Sequence, residues 1–444
     1  MERYAFNNLL SWKKQPDGQR KPLIIEGARQ TGKTWLAREL GRRAFDECVE
    51  INFEDKESLR TLFETDFNLE RILKTLRLST GKEISPGRTL LFFDEIQHAR
   101  RGLLALKYFF DKAPQYHIIA AGSLLGVIDH QDDSFPVGKV DFLQLHPLCF
   151  EEFLTANGKQ SHVELLHSRD WTAITAFAGQ YTDLLRQYYY TGGMPEAVQT
   201  FINTGSYDMV RKIQTQLLTS YELDYSKHPP KEIVKRMEQL WRSIPAQLSK
   251  ENRKFVYSAI KSSARARDYE TAIQWLVDAG MTHKVTRITQ AELPLDGFED
   301  YEAFKLYVLD IGLHGAMVGL DARSMLNGNE FFKQYKGALT EQYVLQELCC
   351  MPDTRIHYWS PETGKAEVDF VVQQKGLVVP IEVKAEQNLR AKSLQQFINR
   401  YAPTTAIRTS LAPYHRGKNI LDLPLYAISV LGQEVETPNI PSEP

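Results

Sequence analysis

The sequence predicts an α/β protein. A parallel sheet wrapped by helices comes first, then a helical segment, a three-helix-and-hairpin unit and a second, smaller α/β domain. Three observations predict it. Short apolar runs at Leu23–Ile25, Leu90–Phe93 and His117–Ala121 alternate with helical patterns, as in a doubly wound sheet. The spacing Gly27-x-x-x-x-Gly32-Lys33-Thr34 falls between the first of these runs and a helix. Near the C-terminus, an amphipathic helix over 335–348 precedes two strand patterns joined at Gln374-Lys375-Gly376.

The chain has 444 residues, 43% of them hydrophobic and 25% charged, with a net charge of −2. That length suggests about two to four domains. The near-neutral charge gives no global signal for nucleic acid, so any such surface must be local. Cys48, Cys149, Cys349 and Cys350 show no zinc spacing, and adjacent Cys349 and Cys350 would make a strained disulfide. Reduced thiols in a cytoplasm are expected. The N-terminus carries no apolar signal core, and no apolar run approaches ~18 residues, so neither a leader nor a membrane span is expected.

Residues 1–20 read as a helix ending at Gln15-Pro16-Asp17-Gly18. The loop Gly27, Ala28, Arg29, Gln30, Thr31, Gly32, Lys33, Thr34 then has what a nucleotide triphosphate needs. Glycines let backbone N–H groups approach phosphate, Lys33 reaches the β- and γ-phosphates, and the Thr34 hydroxyl ligates Mg²⁺. Cys48–Phe53 alternates as a strand, and 54–76 reads as helical. Thr89–Phe93 is an apolar strand that ends in Asp94-Glu95, with Asp94 for Mg²⁺ and Glu95 for the attacking water. A helix over 101–113 follows, then a strand ending at Gly122-Ser123, where Ser123 is the candidate γ-phosphate sensor. ATP and Mg²⁺ are the expected ligands.

The order GARQTGKT, LLFFDEIQ, AAGSLLG and 140–148, with Glu151-Glu152-Phe153-Leu154, resembles prokaryotic AAA-type ATPases (AAA_14-like) that carry a C-terminal DUF4143 region. Tyr190–Val198, with Gly192-Gly193-Met194-Pro195, and Lys305–Leu313 resemble two further signatures of that family. The resemblance spans about residues 20–390 and implies a P-loop ATPase parallel sheet. It also implies an arginine after the glycine before the 140–148 strand, where this chain has Lys139. A lysine there lacks the bidentate fork for phosphate.

Residues 150–225 read as helices broken at 157–159 and 191–193, and the second break is open between a hinge and a helix connector. Val234–Ser243 reads as a helix stopped at Ile244-Pro245, Phe255–Ile260 as another, and 271–280 as a third, followed by a strand at Thr282–Ile288. That is a winged-helix pattern. Either Lys250, Arg253, Lys254, Lys261, Arg265 and Arg267 contact nucleic-acid phosphates, or the unit is a lid or protein-contact module.

In the last region Ile356–Trp359, Glu367–Val372 and Val378–Lys384 read as strands. Asp369 and Glu382-x-Lys384 match the PD-(D/E)xK nuclease pattern, since period two puts Glu382 and Lys384 on one strand face. Asp369, Glu382 and Glu341 are the candidate metal ligands, with Lys384 beside the reacting water. A structural ion-pair group is the alternative. The expected layout is an ATPase core over 1–155, a helical lid over 156–228, a winged helix over 229–325, a restriction-endonuclease-like α/β domain over 326–434 and a tail over 435–444. The function expected is a cytoplasmic Mg-ATPase whose nucleotide state controls the winged helix and the nuclease-like module. DNA is the expected partner, RNA the open alternative, and a homo-oligomer is compatible with it. The competing expectation is a regulatory nucleotide switch that binds a protein and cuts nothing.

Overall fold

The structure is a computed structural model that describes residues 1–122, 135–225, 230–250, 254–323, 330–362, 366–386 and 391–435. Ser123, Arg253 and the tail beyond 435 lie outside the described residues. The chain forms two compact units, one of Met1–His146 with Asp278–Gly280, the other of Pro147–Val277 with Met281–Pro444.

In the first unit, α1 (Ala5–Lys13), β1 (Leu23–Glu26), α2 (Lys33–Ala44), β2 (Glu47–Asn52), α3 (Leu69–Thr80), β3 (Thr89–Asp94), α4 (Gly102–Lys112), β4 (His117–Ala121) and β5 (Asp141–Gln144) follow in order. The five strands lie in the order β2-β3-β4-β1-β5, and every pairing is parallel. Helices cover both faces, so β3 is buried along its whole length and reads as a continuous apolar run. Its odd residues Leu91 and Phe93 join Val49, Ile51, Leu76 and Phe109 in one core, while Leu90 and Phe92 join Leu36, Leu40 and Ile119 in the other. The chain leaves β1 for the far edge at β2 and returns to its other side at β5. The carboxyl end of β1 is therefore the topological switch point, where open α/β sheets bind ligands.

Local chemistry shortens two expected helices. The N-terminal one ends at Lys13. The one expected over 54–76 starts only at Leu69, because the Asn52 side chain accepts from the N–H groups of Glu54 and Asp55 and turns the chain, and Asn68 caps the real start by accepting from Arg71 N–H.

The second unit opens with six helices: α5 (Phe150–Ala156), α6 (Gln160–Ser168), α7 (Trp171–Ala176), α8 (Ala178–Thr191), α9 (Pro195–Thr204) and α10 (Tyr207–Tyr225). The turn between α8 and α9 is a close-packed joint. Gly193 N–H donates to Asp310 Oδ2 at 2.6 Å, and a Cβ on Gly193 would sit 2.1 Å from the Leu148 carbonyl oxygen. Gln346 Nε2 ties the same Asp310 oxygen to the Tyr188 hydroxyl, at 3.1 and 2.8 Å. The two signature segments thus meet in one buried polar knot.

Next come α11 (Lys231–Leu248), α12 (Ala266–Asp278), β6 (Thr282–Ile288), β7 (Glu299–Val308), α13 (Ile311–Met317) and α14 (Glu330–Cys349). Pro245 does not stop α11, contrary to expectation. Met237, Leu240, Trp241, Ile244 and Leu248 make one buried stripe that holds the last turn despite the lost donor. The helix expected over Phe255–Ile260 is a 3₁₀ turn, Tyr257–Ala259, with none of its three residues buried.

The strands β8 (Arg355–Trp359), β9 (Val368–Gln374), β10 (Leu377–Val383), β11 (Ala406–Ser410), β12 (His415–Arg416) and β13 (Ile420–Pro424) complete the chain, with α15 (Lys392–Tyr401) before β11 and α16 (Leu431–Glu434) at the end. They join the hairpin of β6 and β7 in one mixed sheet of eight strands, β12-β13-β11-β10-β9-β8-β6-β7. The expected wing and the C-terminal strands therefore share a sheet. Leu394, Phe397 and Ile398 of α15 pack on Trp359, Val368 and Val371 of that sheet.

Candidate functional site

The strongest candidate lies where β1 ends and α2 begins. Gly27 has φ 140°, and a Cβ there would sit 2.3 Å from the Leu145 carbonyl oxygen. Only glycine fits. Gly32, at φ 97°, is the N-cap of α2, and no side chain caps that helix. Its first N–H groups are left to face the loop, with the positive end of the helix dipole behind them.

Lys33 is buried, and its ammonium donates to the carbonyls of Gly27 and Ala28 at 2.8 and 2.7 Å. Burial pushes its pKa down to about 8, against the pull of Glu95 and Asp94. The Thr34 hydroxyl donates to Asp94 Oδ2 at 3.0 Å. Burial pushes Asp94 up to about 6, and the Thr34 bond opposes that rise. Thr31 fastens the loop on itself through a 2.9 Å bond to the Ala28 carbonyl.

Glu95 is half-buried, in the left-handed region at φ 49°, and the Gln97 amide donates to it. A non-glycine residue pays conformational energy there, and such positions concentrate at functional sites. Gln30, in the loop itself, is another at φ 63°.

Sequence reasoning missed Arg3. Its buried guanidinium donates to the carbonyls of Thr31, at 3.1 Å, and His146, at 2.6 Å, and so braces the loop from the N-terminal segment. A lone arginine 28 residues from its partner leaves no pattern to read. Lys139 is ion-paired with Asp111 at 2.7 Å and lies over the Phe110 ring.

A second cluster sits at the paired ends of β9 and β10. Asp369 Oδ2 accepts from Val383 N–H at 2.8 Å, and Lys384 donates to Glu382 Oε1 at 2.7 Å. Glu382 Oε2 is buried and makes no hydrogen bond among the described residues. Burial and the neighbouring Asp369 push Glu382 up to about 7, and Lys384 opposes them. Glu341 is buried on α14 and accepts from the Tyr307 hydroxyl at 3.3 Å. Among the described residues it does not join Asp369 and Glu382 in a group of three ligand atoms within 4.8 Å. Of the basic residues proposed for phosphate contact, Lys250, Lys261, Arg265 and Arg267 are exposed and Lys254 is half-buried.

Among the described residues no helix is long and apolar enough to cross a membrane. No curated protein matches the chain. Among solved structures, it is similar to the Walker-type ATPase PABY2304 of Pyrococcus abyssi, at 14% identity over 71% of this chain and 95% of that one, with a TM-score of 0.43. It is also similar to RuvB of Thermotoga maritima, the Holliday junction branch migration motor, at 15% identity over 64% and 89%, with a TM-score of 0.29. Drosophila ORC bound to DNA matches at 14% identity over 71% and 94%, with a TM-score of 0.26. Residues 182–324 match a domain of unknown function, DUF8612. Residues 336–428 match another, DUF4143, and residues 19–154, which hold the whole phosphate loop with Asp94 and Glu95, match the AAA domain family AAA_14. The chain thus carries an AAA_14 match over its phosphate loop and a DUF4143 match toward its C-terminus, the pairing found in the AAA-type ATPases that its sequence resembles.

Proposed function

We propose that the chain hydrolyses Mg-ATP at the β1–α2 loop, and that nucleotide state controls a nuclease-like module acting on nucleic acid in the cytoplasm. The observation that carries the first half is the loop's composition. A buried ammonium is held by two neutral carbonyls at the mouth of an uncapped helix. An anionic phosphate is the ligand such a cradle fits. Thr34 and Asp94, hydroxyl against carboxylate, fit Mg²⁺, which would neutralise phosphate charge when bound. Glu95 orients and deprotonates the attacking water. Ser123 keeps its proposed role as γ-phosphate sensor.

The second half rests on Asp369, Glu382 and Lys384. A buried carboxylate oxygen without a hydrogen bond, beside a second carboxylate, fits a divalent cation. In this reading Asp369 and Glu382 hold Mg²⁺ or Mn²⁺, Lys384 stands beside the reacting water, and DNA is the substrate. The 2.7 Å Lys384–Glu382 bond favours the competing reading, a self-neutralised ion group in a switch that cuts nothing.

Two variants test the ATPase. Lys33→Ala should weaken ATP binding on the order of 100-fold, the worth of a charge-assisted bond of about 3 kcal/mol. Glu95→Gln should keep binding and slow hydrolysis by about 10²–10⁴, the range for a lost general base. Equal hydrolysis by wild type and Glu95→Gln rejects the assignment. Mn²⁺-dependent cleavage of mixed DNA and RNA, lost in Lys384→Ala while hydrolysis of ATP persists, tests the second half.

A further inference from the structure

We propose that Arg408 binds a nucleic-acid phosphodiester beside Asp369 and Glu382, and that Asp422 aims it. The proposal rests on the reading of that cluster as a nucleic-acid site.

The placement follows from strand register. β10, β11 and β13 are parallel neighbours, and Glu382, Arg408 and Asp422 are partners across them. The β9–β10 ladder pairs Phe370 with Ile381, so Asp369 falls opposite Glu382 one step on. Partners on adjacent strands face the same side of a sheet. That side is the one under α15. Val371, Val378, Ala406 and Ile420, each an even number of residues from one of the four, belong to the apolar cluster around Leu394 and Phe397. Along all four strands the same face therefore changes from apolar to charged at Asp369, Glu382, Arg408 and Asp422. The row runs on to His415 of β12, which pairs with Asp422 and is exposed at the end of the sheet.

Arg408 is fixed for a planar ligand. Its Nε donates to Asp422 Oδ1 at 2.6 Å and its Nη2 to Asp422 Oδ2 at 3.0 Å. That fork sets the guanidinium plane and takes only part of its N–H donors. The side chains of the pair are 14% and 7% exposed. A pair so deeply buried is often no more stabilising than apolar residues of similar volume, which the same strands carry two residues earlier. Stability therefore does not account for the pair, whereas its place one strand from Glu382 does. Phosphoryl chemistry uses cationic clamps aimed at the oxygens where charge develops. Lys384 offers a point charge there, and Arg408 offers a fork that meets two phosphate oxygens at once.

The test is binding of a fluorescein-labelled DNA duplex, and of its single strand, to the full chain in EDTA. Anisotropy is followed across a salt series, and Mn²⁺-dependent cleavage of the same DNA is measured beside it. Arg408→Met should weaken binding by about 10- to 100-fold, the worth of a charge-assisted bond. It should also lower the slope of log affinity against log salt by about one. Arg408→Lys should restore the slope and leave the affinity between the two, since the charge returns without the fork. Asp422→Asn should weaken binding with the slope unchanged, since the cation stays and its aim is lost. If Arg408→Met unfolds because Asp422 is left unpaired, Arg408→Met/Asp422→Leu removes both charges and should show the same loss of slope. DNA bound and cut by wild type, with affinity and slope unchanged in the Arg408 variants, overturns the role of Arg408 alone and leaves a structural ion pair. No binding and no cleavage by wild type overturns it together with the nucleic-acid reading of the cluster. Binding lost in Arg408→Met, from a wild type that binds and cuts nothing, keeps the phosphate contact and rejects only cleavage.

Discussion

The phosphate loop and the β9–β10 strand end use the same materials, a lysine beside two carboxylates at the end of buried strands. They differ in what the lysine touches. Lys33 donates to two carbonyls. Those dipoles satisfy the donors without cancelling the charge, and the helix dipole of α2 adds to it. Lys384 donates to a carboxylate, which cancels it, and the Asp369 carboxylate beside them accepts from the Val383 N–H. In the proposed reading, one place is therefore built for an anion and the other for a cation. Residue types alone do not decide the sign; the backbone around them does.

The harshest way to break this contrast is Gly27→Ala. The added Cβ would lie 2.3 Å from the Leu145 carbonyl oxygen, at a φ of 140°. The loop must shift, the carbonyls that hold Lys33 move with it, and strain on the order of 1–3 kcal/mol enters the fold. Nucleotide binding measured by fluorescence titration should vanish, with a lower melting temperature. ATP bound as tightly as in wild type would mean that the loop geometry does not make the site.

A second experiment separates a cation site from a finished ion group at β9 and β10. Glu382 titrates at about 7 instead of 4.5, raised by burial and Asp369. In EDTA the folded chain therefore keeps a proton between pH 4.5 and 7 that the unfolded chain has released. Stability falls as pH rises through that window, and the full penalty stands above it, on the order of 3 kcal/mol. Glu382→Gln has no such proton to lose. Its stability relative to wild type, from urea melts, should grow by roughly that amount between pH 5 and pH 8. Adding Mn²⁺ at pH 8 should stabilise the chain with Glu382 and leave the Gln variant unchanged. No Mn²⁺ effect on either chain would favour the ion group.

The two sites were legible to different depths. The phosphate loop can be read because its glycines, lysine and threonine are consecutive and their spacing is the geometry. Asp369 and Glu382 follow from period two and one hairpin turn. Glu341 does not, since an amphipathic pattern gives a buried helix face without saying which strand it meets; here it meets Tyr307 of β7. Arg3 stayed hidden because its partners are joined to it only by tertiary folding, Thr31 at 28 residues and His146 at 143. Proline and asparagine were misread in opposite directions. Pro245 was overruled by an apolar stripe, whereas Asn52 turns the chain just where propensity would have begun a helix at residue 54.

The smallest expected effect concerns Lys139, where the resembling family has arginine. The Lys139 ammonium is 2.7 Å from Asp111, and both side chains are about one-third exposed. Such a pair contributes about 0–1 kcal/mol. Its exposed setting gives arginine little to gain from a bidentate fork unless phosphate charge also reaches it. Lys139→Arg should keep the Asp111 pair and leave the ATP hydrolysis rate within about twofold of wild type, below 0.5 kcal/mol. Asp111→Asn is the informative partner. It frees the cation without changing it, so a rate that rises in Asp111→Asn, and rises further with Lys139→Arg, would show position 139 acting on phosphate. Dependence of that rise on protein concentration would assign the action to a neighbouring copy of the chain.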